Sequence, residues 1–392
     1  MMNFEPLKQF MDHLTSWRIP GNDISVWKDN REVFRYQSGY LDLDKRIIME
    51  PDHLIYIYSC SKVALAVAGM QLVEKKAISL DDPLYEYIPQ FKDICVMGDG
   101  GFLKKSVRPI TLWHLFTMTS GMTYAMPDDV KEYARQKTNS LFNTVETVKC
   151  MAQMPLFFEP GDGWKYSFGH DVLAAVIEIV SGKKYRDYVK ESIFEPLDMK
   201  DSFFHLTNDQ KNRLAPLYCF VDETGEDDLV KNQSKNASGV GGNIERTNDK
   251  NTIVFGSEYD SGGGGIITTV SDYGKLANAL ACRGIGKTGE CILQPETIDL
   301  LRTNQLNDAQ LKNFNWPQHV GYGYGLGVRT MMNPKSCNSI ANIGEFGWGG
   351  AAGASVYVDS SIGLGVFYAH HMLNPQEDYY QPRLREAVYS CI

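Results

Sequence analysis

Tyr56-Ile57-Tyr58-Ser59-Cys60-Ser61-Lys62-Val63-Ala64-Leu65-Ala66-Val67-Ala68-Gly69-Met70 sets the frame for the rest of the chain. An apolar, aromatic run stops at Ser59, and Val, Ala, Leu and Met then recur as a helical pattern. A helix starting at Ser59 brings Lys62 round to the same face one turn later, its amine within reach of the serine hydroxyl. The helix N-terminus adds unpaired N–H groups and positive dipole where an acyl oxyanion would form. Apolar flanks on both sides predict a buried Lys62. Burial disfavours the ammonium and leaves a neutral amine able to take a proton from Ser59. Ser-x-x-Lys also arises by chance on solvated helix faces, so the motif needs support from elsewhere in the chain.

The composition is that of a globular protein. Of 392 residues, 43% are hydrophobic and 22% charged, enough chain for two domains or one large mixed domain. A net charge of -9 with no run of Lys and Arg argues against a nucleic-acid surface. The opening Met1-Met2-Asn3-Phe4-Glu5-Pro6 has neither a basic region nor an apolar core, so the expectation is no signal peptide and a cytoplasmic location. No apolar run is long enough to span a bilayer. Eight cysteines (Cys60, Cys95, Cys150, Cys219, Cys282, Cys291, Cys337 and Cys391) are scattered without Cys-x-x-Cys spacing and read as free thiols. Nothing around Cys60 suggests an activated thiolate. The eight histidines show no ligand spacing, so no metal or organic cofactor is expected; His170 and the pair His370-His371 read as structural or surface residues.

Outward from Ser59, residues 4–17 read as an amphipathic helix, and 23–28 and 32–39 as strands joined at Asp29-Asn30. Helices are expected over 111–121, 145–154 and 170–181, the last stopped by Gly182. The polar segment 221–260 reads as an irregular excursion, a candidate flap over a site. A helix over 272–281 precedes strands at 324–330, 339–344, 354–359 and 363–368 and a closing helix at 382–388. Strands at both ends and helices in the middle predict an α/β (α+β) fold. Its antiparallel sheet, flanked by helices, comes from 1–78 and 261–392, and a mainly helical region is inserted at 79–260.

Two further stretches carry chemistry. Tyr166-Ser167-Phe168 sits in a glycine-flanked loop before a helix, where a tyrosine can pass a proton to a leaving group; on that loop alone, aromatic packing is the plainer reading. Gly344-Glu345-Phe346-Gly347-Trp348-Gly349-Gly350-Ala351-Ala352-Gly353-Ala354 lets a ligand approach the backbone closely. There the N–H of Ala351 is a second oxyanion donor opposite that of Ser59, unless the glycines only form a bulge or a tight hairpin.

In order and rough spacing, Ser59-Cys60-Ser61-Lys62, Tyr166-Ser167-Phe168 and Trp348-Gly349-Gly350 resemble the motifs of the serine β-lactamase and penicillin-binding-protein superfamily. The likeness covers nearly the whole chain and is greatest to class C β-lactamase-like proteins, among them family VIII carboxylesterases and related transesterases. His114-Leu115-Phe116-Thr117-Met118-Thr119-Ser120-Gly121 and Ser261-Gly262-Gly263-Gly264-Gly265-Ile266 look like further signatures of that branch. The resemblance implies a β-lactamase/transpeptidase-like fold and a serine hydrolase working through an acyl-enzyme on small molecules. Ser59 would be nucleophile, Lys62 base and Tyr166 proton shuttle. The Ser59 and Ala351 N–H groups would form the oxyanion hole, with Phe168, Trp348, Gly349 and Gly350 facing the substrate.

The departures lean toward esters. The superfamily's second motif usually ends in Asn and its third usually begins with Lys or His; here Phe168 and Trp348 stand in those places. Each lost hydrogen bond to a charged group weakens carboxylate-bearing substrates by about ten- to a hundredfold. β-Lactamase, D-aminopeptidase and acyltransferase activities remain alternatives, as does an idle binding protein on the same fold. Lys287-Thr288-Gly289 matches the usual third motif literally, but its flanks read as a polar loop before a helix rather than a strand facing the serine.

Overall fold

The computed structural model describes residues 2–222, 242–247, 251 and 253–392. Helix α1 (Glu5–Trp17) buries Leu7, Met11 and Leu14 along one face. Strands β1 (Gly21–Lys28) and β2 (Arg31–Asp42) follow. Asp29 and Asn30 both take positive φ in the turn between them, 50° and 66°. Two left-handed residues give the turn a twist that matches the strands, and Asp and Asn tolerate that conformation well. A short β3 (Ile47–Ile48) edges β2.

Helix α2 (Ser61–Glu74) is apolar on all sides, and every residue from Ser61 to Leu72 is buried, as such a helix must be. The helical middle comprises α3 (Leu112–Phe116), α4 (Asp128–Lys137), α5 (Thr144–Met151) and α6 (Gly169–Ser181), the last ended by left-handed Gly182. Then come α7 (Val270–Ala281) and the strands β4 (Tyr322–Tyr324), β5 (Arg329–Met331), β6 (Phe346–Gly349), β7 (Ser355–Asp359) and β8 (Leu364–His370), closed by α8 (Glu377–Cys391). Strands from both ends of the chain join in one antiparallel eight-stranded sheet ordered β4-β5-β6-β7-β8-β1-β2-β3. Side chains alternate across it. Val366 and Tyr368 join a core with α1 and α8, while Phe367 and Ala369 face the larger core around α2 and α7.

Several expected boundaries move, for local reasons. The helix expected over 111–121 ends at Phe116. Thr117 bonds back to the Trp113 carbonyl at 2.8 Å and to Thr119 at 2.7 Å, and Met118 turns left-handed (φ 58°). Residues 339–344 are not a strand. Ser339 and the Ile340 N–H bond to Glu386 at 2.5 and 2.9 Å, so these polar groups serve α8 instead of a ladder; the strand is β6, just beyond. The expected strand 324–330 splits into β4 and β5 at Gly325-Leu326-Gly327, with Gly327 at φ 88°. Helix α8 starts five residues before Pro382, which sits inside it. Burial of Tyr380, Gln381, Leu384, Arg385 and Val388 offsets the one backbone bond the proline removes. Of the excursion 221–260, Tyr218–Asp222 and Gly242–Arg246 pair as a hairpin, and the rest of the candidate flap between them lies outside the described residues.

Candidate active site

Ser59 stands in a tight 3₁₀ turn, Tyr58–Cys60, and the α-helix begins only at Ser61. The residue before it, Tyr58, is left-handed (φ 42°), a strained conformation for a bulky side chain. The surroundings hold the strain in place. Tyr273 donates to the Cys60 carbonyl at 2.6 Å, the Ile266 N–H to Ser61 Oγ at 3.1 Å, and the Cys60 thiol to the Trp348 carbonyl at 3.4 Å. Burial pushes the Cys60 thiol well up, so it is inert. Ser59 keeps 8% exposure, on the wall of a cavity.

Lys62 is fully buried. Its Nζ donates to the Gly263 carbonyl at 2.6 Å and reaches Ser59 Oγ at 3.2 Å and Tyr124 Oη at 3.1 Å. It also stands 4.6 Å above the Tyr166 ring. Burial lowers its pKa from 10.5 to about 7, against the pull of buried Asp171. Asp171 is itself committed, accepting from Ser261 at 2.6 Å and Tyr259 at 3.1 Å. At neutral pH a substantial share of Lys62 is a free amine.

Tyr166 lies within hydrogen-bonding reach of Ser59 and accepts from Trp348 Nε1 at 3.1 Å. Burial raises its phenol far above neutrality, so it is a proton donor. Trp348, 2% exposed, is wedged among Tyr166, Trp316, His319 and Tyr324. Phe168, Trp348, Gly349 and Ala351 border the cavity. Gly350 has another neighbour: a Cβ there would come within 2.2 Å of the Ile57 carbonyl. Only glycine lets this strand end approach the Ser59 turn so closely.

The cavity, about 560 Å³, has two dissimilar walls. Met126, Phe168, Ile253 and Phe255 are apolar, with Asp128 and Lys131 among them and Lys131 5.7 Å over the Phe255 ring; Gln318, His319, Glu377 and Gln381 are polar. Sequence singles out 221–260 as a candidate flap over a site, and Ile253 and Phe255 come from it, while Tyr124 and Met126 come from the segment just before α4. Spacing gave no sign of Tyr124 as a partner of Lys62, nor of Trp316, Gln318, Glu377 and Gln381, which lie far along the chain in segments with no motif. The literal match Lys287-Thr288-Gly289 sits in the loop between α7 and the helix Pro295–Leu301. There Thr288 Oγ1 donates to the Pro196 carbonyl at 2.8 Å, and Lys287 stands 5.8 Å over the Trp27 ring. His170 and His371 are buried and bond to backbone carbonyls.

The Beta-lactamase family model matches residues 7–389. Esterase EstB of Burkholderia gladioli is 27% identical over 369 residues, covering 91% of this chain and 87% of the relative. Protein Rv1367c of Mycobacterium tuberculosis is 26% identical over 360 residues, covering 89% and 85%. Among solved structures, EstCE1, described as a hydrolase with promiscuous acyltransferase activity, superposes with a TM-score of 0.77 at 22% identity over 98% of both chains. At that identity the likeness speaks for the fold.

Proposed function

This chain belongs to the β-lactamase family, and from that membership we propose that it is a carboxylesterase-like serine hydrolase cleaving esters of small molecules through an acyl-enzyme. The observation that carries the reading is the 3.2 Å separation of Lys62 Nζ and Ser59 Oγ, made by a lysine whose burial leaves it partly neutral. In this reading Ser59 Oγ attacks the ester carbonyl as Lys62 takes its proton. The N–H groups of Ser59 and Ala351 hold the oxyanion. Tyr166, protonated at all working pH values, donates to the departing alkoxide. Lys62 and Tyr166 then activate a water, or an acceptor alcohol, which frees the acyl group from Ser59.

The lean to esters over β-lactams rests on Phe168 and Trp348, which put rings where an amide and a cation would serve a β-lactam, and on Glu377 beside Gly349, which repels a carboxylate. The relative EstB bears the name of an esterase. Cys60, Cys95, Cys150, Cys282, Cys291, Cys337 and Cys391 are free thiols, which suits a cytoplasmic location. No helix among the described residues is long and apolar enough to cross a membrane. The test is a fluorophosphonate probe: it labels the wild type and spares Ser59→Ala. Absence of labelling in the wild type, with no turnover of p-nitrophenyl butyrate, would leave an idle binding protein on this fold.

A further inference from the structure

Glu377 is one of two carboxylates lining the cavity; the other, Asp128, opens α4, and Lys131, one turn further along that helix, lines the cavity too. Glu377 lies in the first turn of α8 and reaches across to the strand that carries Trp348. A Cβ on Gly349 would lie 3.1 Å from Glu377 Oε1, so the carboxylate rests against bare backbone two residues from Ala351. Its oxygens accept from Gln318 Nε2 at 3.0 Å and Gln381 Nε2 at 3.3 Å. Both donors are neutral amides, and two bonds leave acceptor capacity unused on a carboxylate. Among the described residues no ion pair includes Glu377. Arg329 acts on it, but that guanidinium is 3.6 Å from Glu345 and stacked 5.1 Å from the rings of both Tyr322 and Tyr357.

A carboxylate withdrawn from bulk water and without a cation is costly unless something supplies one. Burial raises the Glu377 carboxyl to about 7, with neighbouring Asp378 pushing the same way and Arg329 opposing; the carboxylate is stabilised whenever a cation arrives. It makes no hydrogen bond to Ser59, Lys62 or Tyr166, although its charge adds to the rise of the Tyr166 phenol. Gly349 lies at most about 7 Å of chain from Ala351, so a group held by Glu377 is a few bonds from a carbonyl on Ser59. The apolar lining of Met126, Phe168, Ile253 and Phe255 accommodates the uncharged remainder.

We infer that Glu377 anchors a protonated amine on the substrate, so that the cavity takes ligands with an ammonium at one end and an apolar body at the other. As a statement about substrate this rests on the esterase reading above; as a statement about binding it does not. Gln318 and Gln381 position the carboxylate, and Gly349 lets Gln381 and Glu377 close up against the strand.

The test is calorimetric titration at pH 8 with 3-phenylpropylammonium and its neutral counterpart 3-phenylpropanol. Wild type is expected to bind the ammonium about ten- to a hundredfold more tightly, and Glu377→Gln to bring the two affinities together. Equal affinities in the wild type overturn the inference without any variant. A folded Glu377→Gln that still prefers the ammonium also overturns it, and shifts the recognition to Asp128 at the cavity rim. No turnover is needed, so a protein that fails to cleave esters yet discriminates the two ligands would refute the esterase reading and leave this one standing.

Discussion

Lys62 Nζ stands 3.2 Å from Ser59 Oγ inside a helix that is buried on every side. On the proposed reading they act as one unit of nucleophile and base. Ser59→Ala and Lys62→Ala are each expected to abolish nearly all ester turnover, and the double variant to lose little more than either alone. Single-turnover kinetics on the three proteins check this. Losses that add would mean the pair is not the catalytic unit.

The lowered pKa of Lys62 fixes two pH dependences of known sign. For the free protein, kcat/KM should rise through about pH 7 as the ammonium loses its proton and then level off. Stability follows by linkage. Below about 7 both folded and unfolded chains hold the proton, and the folded state carries the whole cost of a buried ammonium. Between about 7 and 10.5 the unfolded chain binds more protons, so stability climbs with pH. Lys62→Met removes the cost, on the order of a few kcal/mol. Its gain in Tm should be largest below pH 7 and shrink toward pH 10. A gain that grew with pH would contradict a buried, depressed lysine.

Trp348 Nε1 donates to the Tyr166 hydroxyl at 3.1 Å. Trp348→Phe should keep most of the packing but free the phenol, lowering kcat by about two- to tenfold. Truncation to Ala costs about 3–5 kcal/mol of stability in so crowded a place and is the poorer probe. Lys287→Ala, in an exposed loop, should leave activity as it is. Loss of turnover in the Lys287 variant alone would move the third motif to that loop.

Tyr124 touches Lys62 at 3.1 Å and packs edge-on against Phe168, ring centres 4.6 Å apart. Tyr124→Phe preserves the ring contact and deletes the hydroxyl. Its effect should fall on kcat, by about two- to tenfold, with KM nearly constant. A change confined to KM would make Tyr124 a wall residue only.

The cavity also ranks substrates. p-Nitrophenyl butyrate should exceed nitrocefin in kcat/KM by orders of magnitude, because Phe168 and Trp348 offer a β-lactam no hydrogen-bonding amide and no cation. An ester also asks less of the Tyr166 proton, since an alkoxide leaves more readily than an amine. Efficient nitrocefin turnover with negligible esterase activity would place the protein with the β-lactamases proper.

What could be read in the chain alone is local or periodic. Ser59 and Lys62 are three residues apart, so a turn of helix brings them together wherever the helix lies. The paired strands at the start and the Asp29-Asn30 turn follow from alternation and left-handed propensity. The sheet built from both chain ends was legible from the order of strands and helices. Boundaries slipped where side chains compete with the backbone, as Thr117 and Glu386 do.

Only the tertiary structure brings Tyr124 to Lys62 across 62 positions and Gln318 to Glu377 across 59, and only it sets Glu377 against Gly349. No spacing rule spans such gaps, because these residues meet through the packing of whole helices on a sheet. The burial that lowers the Lys62 pKa has the same origin. Apolar flanks already predict a buried Lys62, but how far burial lowers its pKa is set by the elements folded around it.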